Sequence, residues 1–368
     1  MQESGVKPTS RSPSARVIVR RMTPVIDRRR FLASLPVLVA APKLVTQPAP
    51  SPLRLRAFNH VTLVVSDLQR SIDFYQELFG LPVESRQGSV TVALQIGGGP
   101  QHLGLTTSPS SGDRTPRIDH LCLGLDGFDL DAVLQQLANH GVSKSEQRGP
   151  LRVQVRMRGA DLGGGTAGTP EVYVGDPDGI TVQIQDAKYC GGSGPHGNVC
   201  QAPEPSPKKG RLAAKGYSHC TLSGTDPQRS NRFYQDLFGL GVRSYQGPGR
   251  PTLAVGPGVE FLMVTGGGTN AAQSRSGSIN HFCLTVDGFD TDRILKTLES
   301  LGIKPRERAS GPAAPMRHYV TMRMPDRGGA KEGTPELYFT DPDGLLVQVQ
   351  DVSYCGGAGR LGDLCPPA

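Results

Sequence analysis

The sequence predicts an α+β chain of four βαβββ units arranged as two tandem domains. Three observations carry that expectation. A 25-residue stretch occurs twice, as GTPEVYVGDPDGITVQIQDAKYCGG at Gly168–Gly192 and GTPELYFTDPDGLLVQVQDVSYCGG at Gly333–Gly357, identical at 17 of 25 positions. Each copy reads as a strand, an Asp-Pro-Asp-Gly turn and a second strand. Pro presets φ in the turn, Asp bonds the nearby backbone and Gly takes positive φ. The second observation is the offset between like residues: 159 residues from His60 to His219, 161 from His120 to His281 and 165 from Gln183 to Gln348. A period that long marks a duplicated domain rather than a solenoid. The third is composition. The 368 residues include 47 Gly and 31 Pro, which suits many short strands and turns, in a chain long enough for two or three domains.

The elements follow in order. Asn59–Val65 alternates as a strand with His60, Thr62 and Val64 on one face. Ser66 and Gln69 have capping-box spacing for a helix ending at Phe79, with Gly80 just past its end. Strands at Ser89–Ile96 and His102–Thr106 complete the unit. A second unit opens at Ile118–Cys122, has a helix over Leu130–His140, and is closed by the repeated hairpin. The pattern restarts with a strand at Ser218–Leu222 and a helix over Thr225–Phe238, whose first turn holds Pro227. A strand from Asn280 and a helix over Thr291–Leu301 open the fourth unit. This places a first domain at 53–192, a Pro-rich linker at 193–212 and a second domain at 213–368.

The net charge of +7 is misplaced for a nucleic-acid binder. Residues 1–50 hold nine Lys/Arg against Glu3 and Asp27, so they carry all of it and the body is neutral. Asp27-Arg28-Arg29-Arg30-Phe31-Leu32 precedes an apolar stretch running to Val45, broken by Pro36 and Pro42. This resembles a twin-arginine export signal and implies a periplasmic protein that meets the membrane only in transit. Pro42 directly after Val39-Ala40-Ala41 is unfavourable for cleavage, so an uncleaved anchor is one alternative and a plain basic tail another. No run of 18 apolar residues exists, so no spanning helix is expected.

Of seven cysteines, Cys190 and Cys200 share the spacing of Cys355 and Cys365, and both pairs follow the hairpin. Two local disulfides are expected, each closing a loop for roughly 3 kcal/mol, in an oxidising compartment. Cys122, Cys220 and Cys283 read as buried thiols.

Two histidines and one polar residue recur at matching places in each half: His60, His120 and Gln183, then His219, His281 and Gln348. A lone strand histidine is more often structural than a ligand, but recurrence in both copies favours a metal or polar-substrate site.

Asn59–Val83, NHVTLVVSDLQRSIDFYQELFGLPV, and the DPDG hairpin resemble the opening and closing parts of the vicinal oxygen chelate superfamily, which includes glyoxalases, bleomycin-resistance proteins and extradiol dioxygenases. Four units in two domains most resemble the two-domain extradiol dioxygenases. The resemblance implies half-open barrels and an Fe(II) site, with Mn(II) or Zn(II) as alternatives. It implies metal ligands at His219 and His281 in the second domain, with His60 and His120 as the second copy. The closing carboxylate of the family falls on Gln348 and Gln183, the main departure. Glu336 and Glu171 are the alternative carboxylates if Tyr338 and Tyr173, which share their strand faces, point into the barrel; exposed strand-end glutamates are the other reading. Tyr338 and His318 are the catalytic candidates: a histidine beside the bound O₂ acts as acid/base in the enzymes resembled. His318 has no histidine counterpart near Leu151–Val155, where Arg152 stands instead, and this points to the second domain as the active one. Arg323, repeated as Arg158, is the candidate for binding an anionic substrate. The glyoxalase fourth ligand position falls near Gly104 and Leu262, which cannot coordinate. The implied function is ring cleavage of a catechol-like small molecule. The alternatives are a metal-free binding protein and a non-redox metal-dependent lyase or isomerase.

Overall fold

The computed structural model describes residues 53–109, 112–266 and 277–366. The twin-arginine reading, on residues 27–45, lies outside them. In chain order the first domain has β1 (Leu55–Val64), α1 (Leu68–Phe79), β2 (Val83–Gln87), β3 (Thr91–Gln95), β4 (His102–Thr106), β5 (Arg117–Leu125), α2 (Leu130–Asn139), β6 (Ser143–Lys144), β7 (Arg152–Arg158), β8 (Thr169–Gly175) and β9 (Thr181–Asp186). The second has β10 (Ala214–Gly224), α3 (Pro227–Phe238), β11 (Val242–Tyr245), β12 (Pro251–Ala254), β13 (Phe261–Gly266), β14 (Ser278–Val286), α4 (Thr291–Ser300), β15 (Lys304–Pro305), β16 (Arg317–Arg323), β17 (Thr334–Thr340) and β18 (Leu346–Asp351). Both make one nine-stranded sheet in the same order, β2-β3-β4-β1-β5-β9-β8-β7-β6 and β11-β12-β13-β10-β14-β18-β17-β16-β15. These are the four expected units, each second unit adding a two-residue strand after its helix.

Helix α1 starts one residue later than the spacing suggests. Asp67, not Ser66, is the N-cap and accepts from the Arg70 amide, while Gly80 ends the helix at φ 69°. Asp226 caps α3 in the same way. A short Asp side chain reaches the free amides of the first turn, and Ser66 is used elsewhere.

Each sheet is buried on both faces. One face is apolar: Leu337 and Phe339 of β17 are fully buried, and Phe339 lies 6.2 Å from Phe74 and 6.4 Å from Phe79, both on α1. The first domain's helix therefore packs on the second domain's sheet. The other face is concave and polar. In the first domain it is lined from β1, β2, β3, β4, β5, β7, β8 and β9 around one cavity, which only a sheet curled into a half-open barrel allows.

The DPDG turns join the domains reciprocally. Asp341 accepts from the Tyr75 hydroxyl at 3.1 Å, and Asp176 accepts from the Tyr234 hydroxyl at 3.1 Å. Asp343 accepts from the Ser66 amide at 3.0 Å and from its hydroxyl at 2.6 Å. Asp178 accepts from Arg229 at 2.6 Å, from Ser230 at 2.9 Å and from the Thr225 hydroxyl. Each turn thus holds the start of the other domain's first helix. Burial raises the carboxyls of Asp176 and Asp341 to about 6.

The Cys190–Cys200 and Cys355–Cys365 disulfides are both formed. Each follows a tyrosine, Tyr189 or Tyr354, that the closed loop sets into the barrel. Residues 193–212 run along the first domain: Glu204 pairs with Val83, and Arg211 reaches Glu77 at 3.1 Å. Among the described residues, no helix is long and apolar enough to cross a membrane.

Candidate functional site

The concave face of the first domain brings His60 of β1, His120 of β5 and Gln183 of β9 together. The chain's own register does this: His120 lies opposite Thr62, and Gln183 lies beside Cys122, which pairs with His60. The histidine preceded by Asn or Asp has its outer nitrogen occupied. His60 Nδ1 is 2.7 Å from Asn59 Oδ1, and the Asn59 amide nitrogen donates to the Tyr189 carbonyl at 2.7 Å. His120 Nδ1 is 2.9 Å from Asp119 Oδ2. Those oxygens accept, so Nδ1 carries the proton and Nε2 presents a lone pair inward. His60 Nε2 lies 3.1 Å from Gln183 Oε1. Burial, then the neighbouring His102 and His120, hold His60 well below the ordinary imidazole value. Burial pushes the Asp119 carboxyl up, but His120 and Arg148 outweigh it and hold it below the usual carboxylate range.

The second domain repeats the set. His219 Nδ1 is 3.0 Å from Ser218 Oγ, which itself donates to the Tyr354 carbonyl at 3.3 Å. His281 Nδ1 is 2.8 Å from Asn280 Oδ1. Inside, His219 Nε2 stands 3.3 Å from His281 Nε2 and 3.1 Å from Gln348 Oε1. Burial lowers His281 to about 4 and takes His219 well below its ordinary value, so both are neutral near pH 7.

In the second domain three lone pairs therefore converge with no hydrogen between them; in the first, those of His60 and Gln183 meet and the His120 ring stands edge-on to His60, centroids 5.5 Å apart. The Gln183 and Gln348 amide nitrogens are buried without a partner. Ligands adjacent on an ion with bonds of about 2.1 Å stand about 3 Å apart. The separations of 3.1 and 3.3 Å are close to that. Two imidazoles and an amide oxygen suit a borderline divalent ion such as Fe(II), Mn(II) or Zn(II) and leave positions open.

The two barrels differ in what stands beside this set. In the first, His102 of β4 pairs in register with His60 and stacks on it, ring centroids 4.5 Å apart. Its Nδ1 is 3.0 Å from the Pro100 carbonyl, so Nε2 is again the free acceptor. Burial lowers His102 to about 4. The counterpart in the second domain is Phe261, stacked on His219 at 4.5 Å. Gly104 lies opposite Thr62, whereas Met263 lies opposite Thr221; the counterpart of Gly104 is thus Met263, one residue past Leu262. Phe261, Met263 and Tyr354 form a small apolar cluster. His102 and Gly104 instead border a cavity of about 60 Å³ with His60, His120 and Gln183. Between the domains lies a cleft of about 910 Å³, with Ile118, Ile180, Ile279 and Leu345 among its walls. Asp119 and Arg148 line both the cleft and the first-domain cavity.

The remaining expected site residues fall into two groups. Tyr338 and Tyr173 face the site: each ring meets its histidine edge-on, at 5.4 Å from His281 and 5.4 Å from His120. Glu336, Glu171, Arg323 and Arg158 do not act as expected. Arg323 Nε donates to Glu336 at 2.8 Å and Arg158 Nε to Glu171 at 2.7 Å, with all four side chains essentially buried. Arg323 also donates to the Gly357 carbonyl at 2.9 Å, so it grips the disulfide loop rather than substrate. Glu336 accepts further bonds from Tyr354 at 3.0 Å and Tyr338 at 3.4 Å. Both glutamates are thereby committed, and neither replaces the missing carboxylate ligand. His318 is corrected as well. It pairs with Phe339, while the adjacent Tyr319 pairs with Tyr338. Alternation along β16 therefore turns His318 to the other face, where its Nε2 lies 3.3 Å from Glu299 of α4. Its counterpart is Val153, because Arg152 matches Arg317. The residue that sequence reasoning missed is His102, visible as the head of the strand His102–Thr106.

The family model described as Glyoxalase/Bleomycin resistance protein/Dioxygenase superfamily matches the chain twice, at residues 57–184 and 216–349. No curated protein matched by sequence. Among solved structures, a catechol 2,3-dioxygenase is 17% identical with TM-score 0.55, covering 86% of this chain and 90% of that one. The 2,3-dioxygenase LapB from Pseudomonas sp. KL28 is 16% identical with TM-score 0.55, covering 85% and 94%. The Mn(II)-bound glyoxalase from Novosphingobium aromaticivorans is 18% identical with TM-score 0.53, covering 81% and 82%. At these identities the likeness speaks for the fold.

Proposed function

The chain belongs to the glyoxalase/bleomycin resistance protein/dioxygenase superfamily, and from that premise we propose that its first domain is a divalent-metal-dependent catalytic site. The substrate is a small molecule with two adjacent oxygens, and the reaction is ring cleavage of the extradiol dioxygenase type. The observation that carries this reading is the donor set of His60, His120 and Gln183 opening on a cavity that also holds His102.

His60 Nε2, His120 Nε2 and Gln183 Oε1 would hold the ion, Fe(II) first among the candidates. When bound, it would lower the pKa of a chelated hydroxyl and offer a position for O₂. The chain's residues do the rest. Asn59 and Asp119 fix the two imidazole tautomers. Asp119, itself paired with Arg117 and Arg148, orients the His120 ring and raises its basicity as a ligand. His102 is neutral, buried and beside His60, so its Nε2 accepts a proton from a substrate hydroxyl and returns it later. Tyr173 closes the wall next to His120. The adjoining cleft takes the bulk of a substrate too large for the inner cavity. The second domain keeps the donor set, but Phe261 and Met263 fill its barrel, so its role is structural or metal-holding.

The two disulfides support an oxidising compartment, and export through residues 27–45 fits them. Cell fractionation of the full chain and of an Arg28→Lys/Arg29→Lys/Arg30→Lys variant tests export: retention of the variant in the cytoplasm supports it, and unchanged distribution overturns it.

Elemental analysis of wild type, His60→Ala/His120→Ala and His219→Ala/His281→Ala, with O₂ uptake on catechols, tests the central reading. The expected result is metal in the wild type and loss of O₂ uptake in the first variant only. Metal with no O₂ uptake would point to a non-redox lyase or isomerase. The metal-free binding reading rests on the Gln amides: turned over, each would donate Nε2–H to its histidine and leave no ion site. Absence of metal, with unchanged Tm on adding Fe(II), Mn(II) or Zn(II), would select it.

A further inference from the structure

The cavity wall of the first domain carries a charge that the second domain does not. Three residues of β7 face inward: Gln154 opposite Tyr173, Arg156 opposite Glu171 and Arg158 opposite Thr169. Their counterparts on β16 are Tyr319, Thr321 and Arg323. The two arrangements centre on a glutamate. Glu336 accepts from Arg323 at 2.8 Å, Tyr354 at 3.0 Å, Tyr338 at 3.4 Å and the Thr321 hydroxyl at 3.4 Å, so one cation meets one anion. Glu171 accepts from Arg158 at 2.7 Å, Tyr189 at 2.9 Å and Tyr173 at 3.1 Å, and is already satisfied by them. Arg156 stands where Thr321 stands, with its Nε 3.6 Å from Glu171 and its side chain 34% exposed. A 3.6 Å approach is an ion pair without a hydrogen bond. The first cavity therefore has a surplus guanidinium, a rigid fork suited to carboxylate, beside a metal donor set that is itself neutral.

We propose that Arg156 is the anion-recognition residue of the first-domain site, and that the substrate carries a carboxylate in addition to its two chelating oxygens. This rests on the metal-site reading above and adds the substrate's charge class to it. The electrostatic logic follows from counting groups around the cavity. The carboxylate that would offset a divalent ion is replaced by Gln183. Asp119 is shared between Arg148 at 3.0 Å and Arg117 at 2.7 Å. Glu171 is held by Arg158. An ion at His60, His120 and Gln183 would thus leave the site strongly positive, and Arg156 adds one more charge. A neutral catechol would compensate this poorly, whereas an acid bearing vicinal hydroxyls would supply an anion for the ion and another for Arg156. The second domain, with Thr321 in this place, has no such requirement.

The test compares 3,4-dihydroxybenzoate with catechol, which differ by one carboxylate, using calorimetry on the full chain as purified and after chelator treatment. Wild type is expected to bind the acid about 10- to 100-fold more tightly than catechol, the range of a charge-assisted hydrogen bond. Arg156→Gln is expected to erase that preference, Arg156→Lys to keep part of it, and Thr321→Ala to leave it unchanged. Metal content of Arg156→Gln is expected to match wild type. Equal affinities in wild type, or a preference that survives Arg156→Gln, overturns the proposal while leaving the metal reading intact. A preference that is lost in Arg156→Gln but indifferent to chelation and to His60→Ala/His120→Ala upholds the anion site and overturns the metal reading instead.

Discussion

The two domains share a frame and differ in its filling. Strand order, helix caps, disulfide loops, the Arg–Glu pair and the His-His-Gln set are the same in both. The differences cluster on the concave face: His102 against Phe261, Gly104 against Met263, Asp119 against Asn280 and Arg156 against Thr321. Each exchange makes the first barrel roomier, more polar or more charged, and the second drier and more closely packed. The buried Arg–Glu pair and the disulfide loop are repeated in both copies and hold each barrel together; the His-His-Gln set is repeated too, and only in the first copy does it border a cavity with a third histidine.

Exchanging a first-domain residue for its counterpart is the sharpest way to break that comparison. His102→Phe copies Phe261, which stacks on His219 in the geometry His102 has over His60, so the fold and Tm are expected to stand. Turnover of the substrate is expected to fall about 10²- to 10⁴-fold, the usual contribution of a positioned acid/base, with metal content unchanged. Steady-state kinetics beside elemental analysis checks this. A Phe variant that keeps full turnover would remove His102 from the proton path.

The buried ion pairs test the shared frame. Arg158→Met leaves the buried Glu171 with only the partly exposed Arg156 at 3.6 Å, and Arg323→Met leaves Glu336 with no cation. Breaking such a pair costs about 3–5 kcal/mol. Urea denaturation is expected to show a loss in both variants, the smaller one in Arg158→Met, where Arg156 remains near Glu171. A large loss in one domain alone would mean that the two frames are not equivalent.

These pairs also show how the sequence was legible and where it was not. Strand alternation, turn chemistry and helix punctuation all report on the backbone, so the four units and the disulfides could be read from spacing. The convergence of His60, His120 and Gln183 could be suspected because each recurs. Recurrence was also the blind spot. It discarded His102, whose counterpart is an aromatic of similar shape, and it favoured Arg323 and Glu336 as functional when their repetition marks a structural pair. Opposite charges repeated at a constant separation, Arg158 with Glu171 and Arg323 with Glu336, are a signal of a buried ion pair that reading them singly concealed. The misplacement of His318 has a simpler cause: one residue of phase on a strand exchanges the cavity face for the helix face, and only the pairing of Tyr319 with Tyr338 fixes the phase.

The domain junction offers an asymmetric comparison that pH can probe. Gln101 and Glu260 are counterparts, each one residue before its strand, and they meet at 2.8 Å. Glu260 also accepts from the Phe58 amide at 2.6 Å. Burial pushes the Glu260 carboxyl up to about 7, against an ordinary value near 4.3 in the unfolded chain. The folded state binds the proton more tightly, so this contribution to stability is fully present below about pH 4.3 and is lost as pH rises through about 7. Glu260→Gln removes the titration. Relative to wild type, the variant is expected to gain on the order of 2 kcal/mol between pH 4.5 and 7.5, read from denaturation at several pH values. Taking the difference cancels the buried histidines, whose lowered values act in the opposite direction. A difference that is flat with pH would mean that Glu260 is ionised throughout.

The smallest effect expected tests whether the domains are docked symmetrically. Asp343→Ala frees the Ser66 amide and hydroxyl at the start of α1, and Asp178→Ala frees Thr225, Arg229 and Ser230 at the start of α3. Each loss is expected to be about 1 kcal/mol, the scale of a helix-terminal hydrogen bond. The charged partners add little, because Arg70 and Arg229 are nearly half exposed and solvent screens them. The informative quantity is the double variant. Both turns belong to one interface and hold opposite ends of it, so if the domains separate as rigid bodies, losing either latch weakens the same contact. The losses would then add to about 2 kcal/mol, and the two-state transition would persist. If the double variant instead unfolds in two steps by calorimetry, each helix is stabilised by its neighbour locally, and the repeated DPDG turn is a helix clamp rather than a domain latch.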